Sequence, residues 1–251
     1  MANLLAGQRA LVTGAGRGIG VAIARALAAE GAAVAIAYRH SRVGAEDLVR
    51  ALRAEGKTAV ALGADLTDAT QAHDLVAEAT AALGGIDILV NNAAGFGPLR
   101  PLADTIWDDI DTEWQAVVRP MFLATSAILP GMRAQRHGRI VNLSATLLQR
   151  PASGQGAHAM AKAAVLSYTR SLAREIGPDG VTVNAVSPGM TLTQWSLAQP
   201  EREKAAVAAR TPLRRLATPD DVAGAVVFFC SPLAAFITGA NLAPDGGLAV
   251  L

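Results

Sequence analysis

Short apolar, β-branched runs alternate with longer amphipathic ones along the chain, and this alternation constrains the fold more than any other feature. The strand-like runs are Ala10–Thr13, Ala33–Tyr38, Thr58–Leu62, Ile86–Asn91, Arg139–Leu143, Val181–Val186 and Asn241–Ala243. Helical patterns lie between them at Ile19–Ala29, Ala45–Glu55, Ala69–Leu83, Trp114–Gln135, Ala157–Ile176 and Asp220–Phe229. Most of the strands are apolar on both faces, as strands of a parallel sheet covered by helices must be. Gly31, Gly56 and Gly84 follow the first three helices and mark their ends. The expected class is α/β: a single-domain, doubly wound parallel sheet of about seven strands with helices on both faces, spanning residues 1–251.

Composition narrows the function. Hydrophobic residues make up 51% and charged residues 17% of the 251, against the usual charged share of about 25%. Such a chain buries a large core and is not a disordered tail. A formal net charge of +1 gives no basic field for nucleic acid. Arg133, Arg136, His137 and Arg139 form the tightest basic cluster, which reads as a solvated helix end. No window approaches the roughly 18–20 apolar residues of a membrane span, and Met1–Gly7 has no basic start of a signal peptide. Cys230 is the only cysteine, so no internal disulfide exists and a cytoplasmic location is expected. The four histidines, His40, His73, His137 and His158, have no metal-ligand spacing.

The first strand runs directly into Gly14-Ala15-Gly16-Arg17-Gly18-Ile19-Gly20, which opens a helix. Glycines there let the chain turn sharply and let backbone amides approach a pyrophosphate at the helix N-terminus. A dinucleotide site of Rossmann type is expected, with Gly14, Gly16, Arg17, Gly18, Ile19 and Gly20 at the cofactor. The second strand ends in Tyr38-Arg39-His40-Ser41-Arg42, with no acid before Glu46. An acid at this point would hold the 2′-hydroxyl of NAD, whereas cations accommodate the 2′-phosphate of NADP. Arg39, His40 and Ser41, with Arg17 and Arg42, therefore point to NADPH/NADP+.

These residues resemble the short-chain dehydrogenase/reductase family over nearly the whole chain. Thr13–Gly20 resembles its TGxxxGxG loop, Asp65-Leu66 its adenine-side pair, and Asn91-Asn92-Ala93-Ala94-Gly95 its NNAG segment. Val183–Gly189 with Thr193 looks like the stretch that packs on the nicotinamide, while Ile237-Thr238-Gly239 and Asp245-Gly246-Gly247 resemble its C-terminal signature. The resemblance implies cofactor contacts from Asp65, Leu66, Asn92, Ala93, Ala94, Lys162, Pro188, Gly189, Thr191 and Thr193. It also implies a homodimer or homotetramer paired through the two long helices.

The reacting residues depart from the pattern. The family's usual chemistry needs Tyr and Lys four apart on one helical face, Ser 13 residues before the Tyr, and often an Asn on the preceding helix. Here Lys162 is present, but His158 stands at the tyrosine position, Ala145 at the serine and Val117 at the asparagine. Ser144 and Thr146 flank the vacant serine position, and Ser144 is a candidate to turn into it. Tyr38 and Tyr168, the only tyrosines, are expected to be out of reach. By resemblance Lys162 keeps its bond to the nicotinamide ribose. His158 is open to three readings: proton donor, substrate contact or packing residue.

Ketone reduction needs an oxyanion stabilised and then protonated, whereas iminium reduction needs only hydride. A site without Ser and Tyr loses several kcal/mol, in rough measure, for the first reaction and little for the second. The expectation is an NADPH-dependent reductase acting on an imine, iminium or hemiaminal-derived carbon, or on a carbonyl, of a bulky molecule of secondary metabolism. His158, Lys162 and Ser144 are its candidate catalytic residues. Other classes stay open: an NADP(H)-binding scaffold or sensor, or a non-redox cyclase or dehydratase with His158 as base. The substrate walls are expected at about 95–107 and 190–210, where Phe96, Leu99, Trp107, Met190, Leu192 and Trp195 would form an apolar mouth.

Overall fold

A computed structural model describes residues 3–249; Met1, Ala2, Val250 and Leu251, and with them the ends of the expected 1–251 unit, lie outside the described residues. Seven parallel strands form one sheet: β1 (Arg9–Val12), β2 (Ala33–Tyr38), β3 (Ala59–Gly63), β4 (Ile88–Asn91), β5 (Gly138–Leu143), β6 (Val181–Val186) and β7 (Asn241–Leu242). Their order is β3-β2-β1-β4-β5-β6-β7. The direction of winding reverses between β1 and β4, and ligands of such sheets sit beyond the strand C-termini at that switch.

Period-two alternation sorts the strand side chains between two layers. Ala10, Val12, Val34, Ile36, Ile88 and Val90 pack on α1 (Gly18–Ala29), α2 (Arg42–Ala54) and α9 (Pro219–Cys230). Leu11, Ala35, Leu89 and Ile140 face the other way, onto α3 (Ala69–Leu83), α5 (Arg119–Ala134) and α6 (Gly156–Ile176). Both layers are sealed, so truncating Leu89, which is wholly buried, would cost about 2–5 kcal/mol. Among the described residues, no helix is long and apolar enough to cross a membrane.

Two segments differ from the sequence reading. The helix expected to start at Trp114 starts seven residues earlier, as α4 (Trp107–Glu113), and continues through a π turn at Trp114–Val118 into α5. Its opening is acidic rather than apolar, so hydrophobic periodicity misses it. Asp108 and Asp109 suit a helix N-terminus, and Asp109 accepts the Ile106 amide at 3.1 Å. Within residues 190–210, expected as a substrate wall and given no helix by the sequence pattern, lie α7 (Gln194–Leu197) and α8 (Glu201–Arg210). Glu201 and Glu203 in the first turn of α8 and Arg210 in its last complement the helix dipole.

Candidate functional site

The cradle beyond β1 is built from backbone. Gly14 has φ +64°, and a Cβ there would lie 2.8 Å from Ala93 Cα, so only glycine fits. A Cβ at Gly20 would meet Asn92 Nδ2 and Gly14 O at 2.6 Å. Arg17 is the extended residue before α1, while Gly18, Ile19 and Gly20 form the first turn, whose amides have no intrahelical partner. The Thr13 hydroxyl accepts the amides of Asn92 and Ala93 at 3.0 Å, and the Asn92 amide donates to Thr13 O at 2.9 Å and Gly14 O at 3.1 Å. Asn92 therefore braces the loop with its side chain rather than offering it to a ligand. Ala94 beside it is exposed.

On the adenine side, Ser41 lies against Gly16, where any added side chain would collide with it. Arg39 and His40 are exposed, and Arg39 Nη2 pairs with Asp65 Oδ2 at 2.9 Å. Burial works to raise the Asp65 carboxyl, but two hydrogen bonds from Thr67, helped by the Arg39 charge, hold it below its usual value. Leu66 is buried beneath. Opposite, Pro188 and Gly189 leave β6, and a Cβ at Gly18 would come within 3.7 Å of Thr193 Cγ2. The loop after β6 thus closes over the glycine loop. Thr191, expected at the cofactor, is buried, and its hydroxyl donates to Gly189 O at 3.0 Å, bracing that loop. This set fits a dinucleotide: free first-turn amides, a cradle that any Cβ would fill, and cations by the ribose position.

The reacting corner is assembled by side chains. Lys162 is buried on α6 and donates to Leu143 O at 2.8 Å. Burial pushes its ammonium down to about 8, and the negative charge of Glu113 opposes that shift. Ser144 does not occupy the vacant serine position. It is buried, and its hydroxyl donates to Lys162 O at 3.0 Å, because an unpaired buried hydroxyl would be costly. The Thr146 hydroxyl likewise donates to Pro188 O at 3.3 Å. Val117 lies on the π turn and packs with Met121, Ala161 and Val165. Tyr168 makes an edge contact with Phe122 at 6.0 Å, and Tyr38 lies against Gly63 at the adenine end.

His158 has a partner that sequence reasoning missed. Its Nδ1 lies 2.7 Å from Glu113 Oε2, with both side chains about 95% buried. Glu113 Oε1 accepts the Gly97 amide at 2.6 Å, so the carboxylate joins α4, α6 and the loop after β4. Removing one partner of such a buried pair typically costs about 3–5 kcal/mol. The one sequence signal was spacing, since Glu113 lies four residues before Val117 on a helix. Nothing in the sequence brings it to a histidine 45 residues away.

Aromatic rings cover the pair. Phe96 stacks on His158 with centroids 4.5 Å apart, and Trp195 stacks on Phe96 at 5.1 Å. The two expected substrate walls therefore meet, although the second is helical. Leu99 and Trp107 are solvent-exposed, and Met190 and Leu192 are half-buried. The loop bearing Phe96 is tied down by an Arg100–Asp109 ion pair at 2.9 Å and by the Arg100 amide on Gly154 O at 3.0 Å. Among the described residues, no group of three metal-ligating side chains occurs.

Residues 14–249 match the family model described as enoyl-(acyl carrier protein) reductase. The chain is 38% identical over 246 residues to the 3-oxoacyl-[acyl-carrier-protein] reductase FabG of Vibrio cholerae, covering 97% of this chain and 98% of that one. Among solved structures, it resembles a short-chain dehydrogenase/reductase from Serratia marcescens with TM-score 0.91 and 35% identity, over 98% of this chain and 100% of that one. A short-chain dehydrogenase from Burkholderia cenocepacia in complex with NADP gives TM-score 0.88 and 40% identity, over 98% and 99%.

Proposed function

This chain belongs to the short-chain dehydrogenase/reductase family, and on that premise we propose that it reduces a cationic C=N bond, an iminium or hemiaminal-derived carbon, of a bulky partly aromatic molecule. It is an NADP(H)-dependent oxidoreductase, and NADPH when bound supplies hydride. Gly14–Gly20, Ser41, Arg39 and the loop 188–193 would hold the dinucleotide, with Lys162 at its nicotinamide ribose.

The reading is carried by the scarcity of oxyanion donors at the reacting corner. Val117 and Ala145 offer no donor, and the hydroxyls of Ser144 and Thr146 are committed to backbone carbonyls. A developing alkoxide would go without the donors that usually contribute several kcal/mol, in rough measure. A cationic substrate loses its charge as hydride adds and needs no such donor. Until then the faces of Phe96 and Trp195 stabilise it, contributing about 0.5–2 kcal/mol. The covering aromatics are also what suits a bulky, flat substrate.

Carbonyl reduction with His158 as the acid is the second reading, favoured by the activity in the FabG name. NADPH absorbance followed with a preformed N-alkylated aryl iminium and the matched aryl ketone, on wild type and His158→Ala, separates the two. We expect both proteins to oxidise NADPH with the iminium and neither to do so appreciably with the ketone. Ketone turnover by the wild type alone would install His158 as the proton donor and overturn the iminium reading. We further infer a cytoplasmic homo-oligomer: Phe122 on α5 and Met160 on α6 are exposed apolar side chains on the two long helices, 49% and 44% accessible.

A further inference from the structure

We infer that Glu113 is a positioning residue that holds His158 protonated on Nδ1, leaving Nε2 bare to accept the N–H of a protonated imine. The inference rests on the proposed C=N reduction for its substrate, and on the Glu113–His158 geometry and a charge count for the tautomer.

Glu113 is held as a carboxylate. Oε1 accepts the Gly97 amide at 2.6 Å, and Oε2 lies 2.7 Å from Nδ1, where an ionised carboxylate can only accept. The negative charge of Glu113 favours the ammonium form of the buried Lys162. An acceptor-only oxygen 2.7 Å from Nδ1 requires the proton to be on Nδ1. The charge count then decides the other nitrogen. One buried anion, Glu113, is already balanced by one buried cation, Lys162. A charged imidazole would leave the site net positive before substrate enters and set it against a cationic C=N group. Nε2 therefore carries no proton.

A bare nitrogen backed by a carboxylate discriminates among substrates. It repels the oxygen of a ketone and offers nothing to an N,N-dialkyl iminium. It accepts a hydrogen bond from an imine protonated on nitrogen. In the reaction, hydride adds to carbon, the C=N π pair becomes the nitrogen lone pair, and the N–H stays in place. The product is a neutral amine together with NADP+, and no proton from the protein is consumed. The substrate class is thus narrowed to imines that retain an N–H when protonated, of ammonia or of a primary amine.

Glu113→Gln tests this with little change of shape. The Gln carbonyl can still accept the Gly97 amide, but its NH2 must donate to Nδ1, which moves the imidazole proton to Nε2. The first readout is the nitrogen NMR of ring-labelled His158 at neutral pH, assigned among the four histidines by its loss in His158→Ala. We expect Nδ1–H with bare Nε2 in the wild type and the reverse in Glu113→Gln. The wild-type spectrum alone overturns the inference if Nδ1 is bare or both nitrogens are protonated, even if the variant fails to fold. The second readout is kcat/KM for a cyclic aryl imine and its N-methylated iminium salt. Glu113→Gln should lower the first at least tenfold and leave the second within about twofold. An equal fall for both would overturn the N–H assignment. If the wild type reduces neither, it is the C=N reading that fails, while the tautomer still decides the role of Glu113.

Discussion

The glycine loop and the corner around His158 are the two ends of the candidate site, held by different parts of the chain. At the loop, conformation does the holding: Gly14 in the left-handed region, unpaired first-turn amides, and a Thr13–Asn92 brace that fixes the backbone. Its glycines are close together in sequence, Asn92 and Ala93 come to them from the end of β4, and the constraint is steric. At the corner, charge and aromatic stacking do the holding. Glu113, His158, Gly97 and Phe96 come from three separate elements and are joined only by tertiary packing. The comparison teaches that backbone sterics hold the one end, while the other depends on side-chain charge and stacking.

The most severe way to break that contrast is Gly14→Val. The left-handed backbone and the 2.8 Å approach to Ala93 leave no room for a side chain, and strain of about 1–3 kcal/mol adds to the clash. NADPH affinity by fluorescence titration should fall at least about 100-fold, and turnover of every substrate should go with it. Retained affinity would show that the backbone cradle is not the cofactor site.

A smaller effect is expected from Ala145→Ser, which places a hydroxyl where the resemblance puts the family's serine. Ketone reduction should rise about tenfold, equivalent to about 1.4 kcal/mol of transition-state stabilisation, with N-alkylated iminium reduction unchanged. A parallel rise in both rates, compared as kcat/KM, would mean that oxyanion donors are not what separates the two chemistries here.

The mildest test uses pH, because Lys162 joins the two ends. Its ammonium, lowered to about 8, is the form present below that pH, so the NADPH Kd should rise several-fold as pH is taken through 8. Lys162→Met should flatten the profile. Stability moves the other way. The folded-state pKa lies below the usual 10.5, so the unfolded chain binds this proton more tightly between about 8 and 10.5. Across that window the contribution of Lys162 to stability rises with pH. An affinity that strengthens above pH 8 would remove Lys162 from the ribose.

Legibility follows the range of the interactions. Period-two and helical patterns recover all seven strands to within two residues, since burial on each face is written locally. The start of α4 escapes because acidic first-turn residues, not apolar ones, stabilise it. Helices α7 and α8 escape because α7 is a single short turn and α8 buries little beyond Lys204. At the site, the places of His158, Ala145 and Val117 can be read by spacing, but the direction of a hydroxyl cannot. Ser144 and Thr191 turn inward because buried oxygens take the nearest carbonyl.

By itself the sequence determined the doubly wound sheet, the glycine loop and an imidazole at His158 four residues before Lys162, all consequences of residue type at short spacing. Only the tertiary structure decided what backs that imidazole. Helix α4, continued through the π turn, carries Glu113 against α6, and there a carboxylate out of water finds His158 and the Gly97 amide as its partners. A buried charge must be paired, and which partner it meets is set by how helices pack rather than by their order in the chain.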